Sequence, residues 1–241
     1  MDHSKTTKGT LYLIPSSLGS EQIDTIWPPA HTQLLNRLQV YIVENLRTAR
    51  RFMRTAGFTG HFDDLTFYEL NKRTRQEETG GFLKSALEGK DIGLLSEAGC
   101  PCIADPGQLV VQLAHQLGIR VMPLTGPSSI LLGLMASGFN GQRFTFHGYL
   151  PINGPERAKA LRELEKQAYQ QDQTQIFMET PFRNDQMLEA ILSHCRNDTM
   201  LCIACDLTKN EEYIRTRSIA AWKKEKPALH KRTSIFLIYH P

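Results

Sequence analysis

Short runs of β-branched residues and leucine alternate with longer stretches of helical periodicity, and this rhythm limits the fold more than any other feature. The apolar runs predict strands at residues 11–14, 40–43, 92–95, 120–124, 144–147, 174–179 and 200–206. The helical patterns between them cover residues 33–39, 77–88, 108–117, 155–168 and 184–195. Strands separated by helices are typical of α/β proteins. The last two runs, 213–217 and 234–239, have no long helix between them, so antiparallel strands are expected there.

A chain of 241 residues is long enough for two domains of about 120 residues each. The best junction is the Pro-Leu-Thr-Gly-Pro sequence of residues 123–127, where an apolar strand meets glycine and proline before a helix that starts at Ser128. We therefore predict an N-terminal α/β domain at residues 1–123 and a C-terminal α/β domain at residues 124–241. Ligand sites favour such junctions.

No apolar run approaches the roughly 20 residues that cross a bilayer, and the polar residues 1–8 contain no segment typical of a secretion signal. We expect a cytoplasmic protein without a membrane partner. The five cysteines are an odd number without framework spacing, which favours free thiols. Cys202 and Cys205 form a CxxC that Cys100 and Cys102 could complete as a metal site. A spacing of three in a strand puts Cys202 and Cys205 on opposite faces, so buried core cysteines are predicted and no metal.

The formal net charge of +3 is too small to prove a nucleic-acid partner, but the basic residues are clustered. The three clusters are Arg47, Arg50, Arg51 and Arg54; Lys72, Arg73 and Arg75; and Lys223, Lys224 and Lys226. The first has the spacing i, i+3, i+4, i+7 and forms one stripe if residues 44–55 are helical. Each cluster is either an ordinary solvated face or part of a surface for a polyanion such as RNA.

Small residues, glycine and proline form four turns that follow predicted strands or open predicted helices. They are residues 15–20, 96–101, 104–107 and 126–129. Glycine and small residues let the backbone come close to a ligand, and the free N–H groups of a helix start can hold a carboxylate. Neither a phosphate P-loop nor a GxGxxG dinucleotide turn is present.

Seven segments, in this order, resemble the tetrapyrrole methylase superfamily of S-adenosylmethionine-dependent methyltransferases. They are Gly-Thr-Leu-Tyr-Leu-Ile-Pro at 9–15, Leu-Leu-Ser-Glu-Ala-Gly-Cys-Pro at 94–101, Ala-Asp-Pro-Gly at 104–107, Pro-Leu-Thr-Gly-Pro-Ser-Ser at 123–129, Phe-His-Gly-Tyr-Leu-Pro at 146–151, Met-Glu-Thr-Pro-Phe-Arg at 178–183 and Asp-Leu-Thr-Lys at 206–209. Within the superfamily the chain is most similar to the branch that methylates a ribose 2′-hydroxyl of 16S ribosomal RNA.

The resemblance implies two α/β domains with S-adenosyl-L-methionine in the cleft between them, an RNA acceptor and a homodimer. It also implies that the cofactor is held by Pro15, Ser96, Glu97, Ala98, Gly99, Gly126, Pro127, Ser128, Ser129, Thr180 and Leu207. Because a sulfonium methyl group is already activated, such an enzyme needs chiefly to align its acceptor. The absence of a recognisable nucleophile–base pair in the sequence therefore does not argue against a methyltransferase.

The chain departs from that branch mainly in segments that face the acceptor. Where the branch has an acidic-Asp-Thr-Arg motif this chain has Glu44-Asn45-Leu46-Arg47, and a His-rich segment has become residues 68–72. The usual aspartate before Ala-Gly is Glu97, and a Lys-Gly-Glu near the end is Lys-Arg-Thr at 231–233. The donor is therefore expected to be unchanged, whereas the acceptor stays open.

Glu44, Arg47 and Glu97 are the candidate catalytic residues, and each has an alternative role. Glu97 either accepts a hydrogen bond from the cofactor's amino group, faces the acceptor, or caps a turn or helix. Glu44 and Arg47 either form an i,i+3 ion pair or reach the acceptor. In the same way, the second domain's Arg183 and Lys209 bind acceptor phosphates or pair with neighbouring acids.

Three functions remain open from the sequence. An RNA methyltransferase is favoured by the branch resemblance and the basic clusters. A small-molecule methylase acting on a tetrapyrrole is the second, since that acceptor is itself a polyacid. The third is a protein that binds the cofactor without turnover, which the altered acceptor-side motifs permit.

Overall fold

A computed structural model describes residues 7–20, 23–71, 74 and 76–240, without the side chains of residues 76–78. The chain divides into two compact units, Met1–Pro127 and Ser128–Pro241, and each contains one five-stranded sheet flanked by helices. The α/β class is thereby confirmed. The domain boundary drawn at residue 123 stays a prediction.

The first unit is built on a parallel sheet with the strand order β3-β2-β4-β1-β5. Its strands are β1 (Thr10–Ile14), β2 (Val40–Val43), β3 (Thr66–Glu69), β4 (Ile92–Leu95) and β5 (Arg120–Pro123). Its helices are α1 (Pro29–Arg37), α2 (Leu46–Thr55), α3 (Gln76–Phe82), α4 (Lys84–Leu87) and α5 (Gln108–Gln116). Every residue of β2 and β4 is buried, which is why both strands read as continuous apolar runs.

The second unit has the strand order β6-β7-β10-β8-β9. Its strands are β6 (Phe144–Tyr149), β7 (Thr174–Glu179), β8 (Met200–Cys205), β9 (Tyr213–Ser218) and β10 (Ser234–Tyr239). Its helices are α6 (Ser129–Ser137), α7 (Gly154–Gln171), α8 (Asn184–His194) and α9 (Ile219–Lys224). Strand β10 is antiparallel to β7 and β8, and β9 is antiparallel to β8, so the expected antiparallel strands are confirmed.

The directions of these strands bring two predicted site segments to one edge of the second sheet. Because β10 is antiparallel to both β7 and β8, those two strands run in the same direction. Ser234 of β10 pairs with Glu179 on one side and with Cys205 on the other. The segments that follow, starting at Thr180 and Asp206, therefore leave the sheet at the same edge.

Two sequence assignments were wrong. Strand β3 was missed because it is an edge strand whose end residues, Thr66 and Glu69, are exposed, so it lacks a long apolar run. The single helix predicted at 77–88 is two helices, α3 and α4, since the backbone leaves helical geometry at Leu83 (φ −96°, ψ 1°). The basic cluster Lys72, Arg73 and Arg75 lies outside the described residues.

All five cysteines are free thiols, as predicted. Cys202 and Cys205 are both 0% exposed in β8, and burial raises the pKa of Cys202 to about 11 and also raises that of Cys205. Thiols held protonated in this way behave as small core side chains. Within the described ranges, no helix is both long and apolar enough to cross a membrane.

Candidate functional site

Three turns of the first unit meet at the carboxyl ends of β1, β4 and β5. Ser16 N donates to Gly99 O (2.9 Å) and Gly99 N donates back to Ser16 O (3.2 Å), which joins the turn after β1 to the turn after β4. The buried hydroxyl of Ser96 donates to Gly99 O (2.5 Å) and lies 3.3 Å from that of Ser16. The Cys100 thiol reaches Pro127 O (3.5 Å) in the segment after β5. In parallel sheets this edge is where ligands bind.

Glycine is required at two positions in these turns. Gly99 has a φ of +73°, and an added Cβ would lie 3.2 Å from Leu18 Cδ2 and 3.3 Å from Pro127 O. At Gly126 an added Cβ would lie 2.2 Å from the ring of Pro15. The turns thus pack so closely at Gly99 and Gly126 that a larger residue at either position would press on its neighbours.

The structure brings together every predicted cofactor residue of the first unit. Pro15, Ser96, Glu97, Ala98, Gly99, Gly126 and Pro127 all belong to the three joined turns. Glu97 and Ala98 are exposed at the tip of the middle turn. Backbone N–H and C=O groups in turns of small residues suit a ligand that has an amino-acid end and ribose hydroxyls, and these residues therefore fit S-adenosylmethionine.

A recess lies beside the middle turn, between the end of β4 and the start of α2. It is lined by Glu44, Asn45, Thr48, Ala49, Phe52, Leu95, Ser96 and Glu97, and its cavity volume of about 10 Å³ has room for roughly one water molecule or one hydroxyl group. Glu97 Oε1 accepts a hydrogen bond from the Thr48 hydroxyl. The helix is capped by Asn45, whose Oδ1 accepts from Arg47 N (3.0 Å) and Thr48 N (3.1 Å). Glu97 therefore does not cap α2, and its carboxylate is turned toward the recess.

Arg47 follows the cap on the exposed side of α2. Within the described ranges its guanidinium forms no ion pair with Glu44 or with any other acid, so the i,i+3 pair considered from the sequence is not found. Glu44 itself is half-buried in the wall of the recess. Two of the three candidate catalytic residues, Glu44 and Glu97, thus line one recess, and Arg47 is adjacent to it in the chain.

The arginine stripe of α2 is divided by its packing. Arg50 is half-buried with its guanidinium carbon 5.3 Å from the ring centre of Phe62 and 5.5 Å from that of Phe67. Arg54 lies 4.3 Å from Phe62 and donates to Phe58 O (2.7 Å). Arg47 and Arg51 are exposed, and no described residue pairs with their guanidinium groups. The stripe predicted as one surface is therefore two cations stacked on aromatic rings and two that face solvent.

The remaining predicted cofactor residues lie in the second unit. Ser128 is the N-cap of α6, its hydroxyl accepting from Leu131 N (3.5 Å), and Ser129 is the first residue of that helix. Thr180 directly follows β7, and Leu207 lies in the loop after β8. The contact of these four residues with the cofactor stays a prediction.

Arg183 and Lys209 pair with neighbouring acids, which was one of the two roles predicted for them; the other was binding of acceptor phosphates. Arg183 Nη2 lies 2.6 Å from Oε1 of the buried Glu179, and Lys209 Nζ lies 3.2 Å from Asp206 Oδ1. Asp206 also accepts from Arg232 Nε (2.6 Å) and from the Thr233 hydroxyl (3.1 Å). Burial raises the pKa of Asp206, but the hydrogen bonds from Arg232, Lys209 and Thr233 outweigh it and lower the pKa below its ordinary value.

Sequence reasoning missed several residues of these networks. Asn45 was detectable, because Asn is a preferred N-cap residue before a helical pattern. Thr48 carries no such signal, since its partner Glu97 is 49 residues away in the chain. Arg232 and Thr233 were noted only as departures from a family motif, although they hold Asp206 in place.

Known proteins are similar to this chain over most of its length. The family described as Tetrapyrrole (Corrin/Porphyrin) Methylases matches residues 32–221. Ribosomal RNA small subunit methyltransferase I of Buchnera aphidicola subsp. Schizaphis graminum is 28% identical over 240 residues, covering 98% of this chain and 80% of the relative. The protein of the same name from Bacillus subtilis is 30% identical over 226 residues, covering 92% of this chain and 73% of the relative.

Solved structures agree in fold. The methyltransferase CobJ superposes with a TM-score of 0.61 at 16% identity, covering 97% of this chain and 100% of that protein. Uroporphyrin-III C-methyltransferase of Thermus thermophilus, in complex with S-adenosylhomocysteine, has a TM-score of 0.57 at 14% identity, with 96% and 97% of the two chains covered.

The chain belongs to the tetrapyrrole methylase family, because the family match spans more than half of its length. The predicted family and the predicted enzyme class, an S-adenosylmethionine-dependent methyltransferase, are confirmed.

Proposed function

We propose that this chain transfers the methyl group of S-adenosylmethionine to small-subunit ribosomal RNA, at a ribose hydroxyl. The observation that carries the proposal is the recess with Glu44 and Glu97 in its wall, next to the three joined turns of the first unit. The relatives named ribosomal RNA small subunit methyltransferase I support RNA as the acceptor. A ribosomal RNA acceptor also implies a cytoplasmic enzyme.

When bound, S-adenosylmethionine supplies an activated methyl group, so the protein's task is alignment of donor and acceptor. In our proposal the backbone near Pro15, Ala98, Gly99 and Gly126 holds the donor. Pro127, Ser96, Ser128, Ser129, Thr180 and Leu207 are further proposed donor contacts. The turn backbones are fixed to one another before the donor binds, which lowers the entropic cost of binding.

The acceptor side of the proposal rests on the recess. The carboxylate of Glu97 accepts the hydrogen bond of the acceptor hydroxyl and takes its proton as the new C–O bond forms and the S–C bond breaks. Arg47, exposed and one residue beyond the capped start of α2, contacts a phosphate of the RNA backbone. Glu44 shapes the recess and adds negative charge beside Glu97.

We further propose a homodimer. Leu131 and Met135, one helical turn apart on α6, are 52% and 78% exposed, and large apolar side chains left in water in adjacent positions often mark an interface. Sedimentation at micromolar concentration is expected to give twice the chain mass of 27.3 kDa. A Met135→Glu variant is expected to shift the protein toward monomer. A wild-type monomer at that concentration would refute the proposal.

The acceptor is tested in cells that lack the protein. Mass spectrometry of small-subunit ribosomal RNA from such cells is expected to show one nucleoside without its methyl group. Re-expression of the wild-type chain should restore the methyl group, and re-expression of Glu97→Gln should not. If the RNA is fully methylated without the protein, while the purified chain methylates a porphyrinoid, the RNA proposal is wrong and the small-molecule function is correct.

A further inference from the structure

The hydrogen bond between Thr48 and Glu97 joins two separate elements of the first unit. Thr48 is the third residue of α2, and Glu97 lies in the turn after β4. The Thr48 hydroxyl donates to Glu97 Oε1, and both side chains line the recess. Because the two residues are 49 positions apart, only the packing of α2 beside β4 brings them together.

The hydroxyl of Thr48 is not needed to cap its own helix. Asn45 Oδ1 already accepts from the backbone N–H groups of Arg47 and Thr48, at 3.0 and 3.1 Å. Other acceptors near the hydroxyl are Asn45 O (3.1 Å) and Asn45 Oδ1 (3.4 Å). A threonine has one hydroxyl proton, and here Thr48 donates it to Glu97. The backbone N–H groups at the start of α2 still have Asn45 Oδ1 as their acceptor.

Glu97 depends on such a partner. Its side chain is exposed at the tip of a turn, where an unrestrained glutamate would populate several rotamers. Among the described residues, Oε2 of Glu97 has no partner, so the bond from Thr48 fixes one oxygen and leaves the other available.

We propose that Thr48 is a positioning residue for methyl transfer, which holds the Glu97 carboxylate in the recess so that its second oxygen meets the acceptor hydroxyl. The inference rests on the proposed function, because it assigns Glu97 to the acceptor. It predicts an effect on turnover and little on the donor, since the Thr48 hydroxyl bonds only the side chain of Glu97 among the groups of the three joined turns and leaves their backbone–backbone hydrogen bonds unchanged.

The test compares Thr48→Val with Thr48→Ser and with a control on the same helix. Thr48→Val keeps the shape of the side chain but removes the donor, and kcat with small-subunit RNA is expected to fall about tenfold, as for the loss of one hydrogen bond to a charged group. The dissociation constant for S-adenosylmethionine, measured by titration calorimetry, should change by less than about twofold. Thr48→Ser should restore most of kcat.

Thr55→Val is the matched control, because the exposed Thr55 hydroxyl donates, within the described part of the chain, only to Arg51 O (3.2 Å) of its own helix. It is expected to leave kcat unchanged. The double variant Thr48→Val with Glu97→Gln should be no slower than Glu97→Gln alone, since Thr48 acts through Glu97.

Two results separate the inference from the proposed function. If Glu97→Gln abolishes turnover but Thr48→Val matches Thr55→Val, Thr48 does not position Glu97 and the inference is wrong. If Glu97→Gln itself keeps full activity on RNA, the acceptor role of Glu97 in the proposed function is wrong. Equal loss of kcat in Thr48→Ser and Thr48→Val would also overturn the inference, because the serine retains the hydroxyl.

Discussion

Asp206 shows how one carboxylate can hold a loop. It is 8% exposed, and its backbone has a φ of +49°, which is uncommon for a residue other than glycine. Four groups bind its side chain: Arg232 Nε, Lys209 Nζ, and the backbone N–H and hydroxyl of Thr233. Thr208, two residues further, has a φ of +71°. Strained backbone of this kind persists only where surrounding contacts hold it.

We expect Asp206→Asn to lower the free energy of unfolding by about 1–3 kcal/mol at neutral pH, since it leaves Arg232 and Lys209 without their partner. Because the folded pKa of Asp206 is lowered, the stabilisation is complete above the ordinary aspartate pKa. It disappears as the pH falls through the folded pKa. Urea unfolding of both proteins from pH 7 to pH 2 measures this.

Asp198→Asn is the control for that experiment, because Asp198 pairs with Arg196 at 3.3 Å with 55% of its side chain exposed. An exposed pair contributes little to stability. If the difference in free energy of unfolding between wild type and Asp206→Asn stays constant down to pH 2, the assigned ion pairs are wrong.

At the scale of elements, helix α2 both packs against the core of the first unit and presents arginines to solvent, and the sequence did not show which arginines do which. Its inner residues Ala49 and Met53 are buried in the first unit. Arg50 and Arg54 extend this packing by covering the rings of Phe58, Phe62 and Phe67. Arg47 and Arg51 are exposed, and within the described ranges their guanidinium groups have no partner.

We expect the double charge reversal Arg47→Glu with Arg51→Glu to weaken RNA binding. It should also flatten the salt dependence of binding by a slope of about 0.7 for each RNA phosphate that the variant no longer neutralises. Cofactor affinity should be unchanged. Filter binding of small-subunit RNA against salt concentration measures both slope and affinity. Unchanged values in the double variant would make the exposed arginines an ordinary solvated face.

Arg50→Ala is the matched comparison on the same helix. It removes contacts with two aromatic rings, so it should lower the melting temperature more than Arg51→Ala does. The opposite order of melting temperatures would show that the stacking contributes nothing.

At the scale of the whole molecule, we expect binding of the donor to the joined turns to raise the stability of the folded chain. If S-adenosylmethionine binds only the native protein, a concentration of 100 times the dissociation constant stabilises it by about 2.7 kcal/mol. We expect a rise in melting temperature with wild type. Gly99→Val should abolish it, since valine is strained at a φ of +73° and would press on Leu18 and Pro127.

Gly141→Ala is the control, because no atom lies within 4 Å of an added Cβ there and its φ is not positive. This variant should keep the full thermal response. The proposed donor site is wrong if wild type shows neither heat nor a thermal shift at millimolar donor, or if Gly99→Val responds as wild type does.

The sequence by itself determined most of the elements and the enzyme class. Strands β2 and β4 are buried at every residue and helices such as α5 carry a clear period, so local pattern was enough to find them. The order of seven short segments was enough for the family, which the match to residues 32–221 confirms.

Only the tertiary structure decided which side chains meet. Which of the four arginines of the stripe would stack on Phe62, and whether Glu97 would reach Thr48 or cap a turn, depended on residues up to 49 positions away. Periodicity records how a residue relates to its own helix or strand. Contacts between elements depend on how packed surfaces fit together, and no local pattern in the sequence encodes that fit.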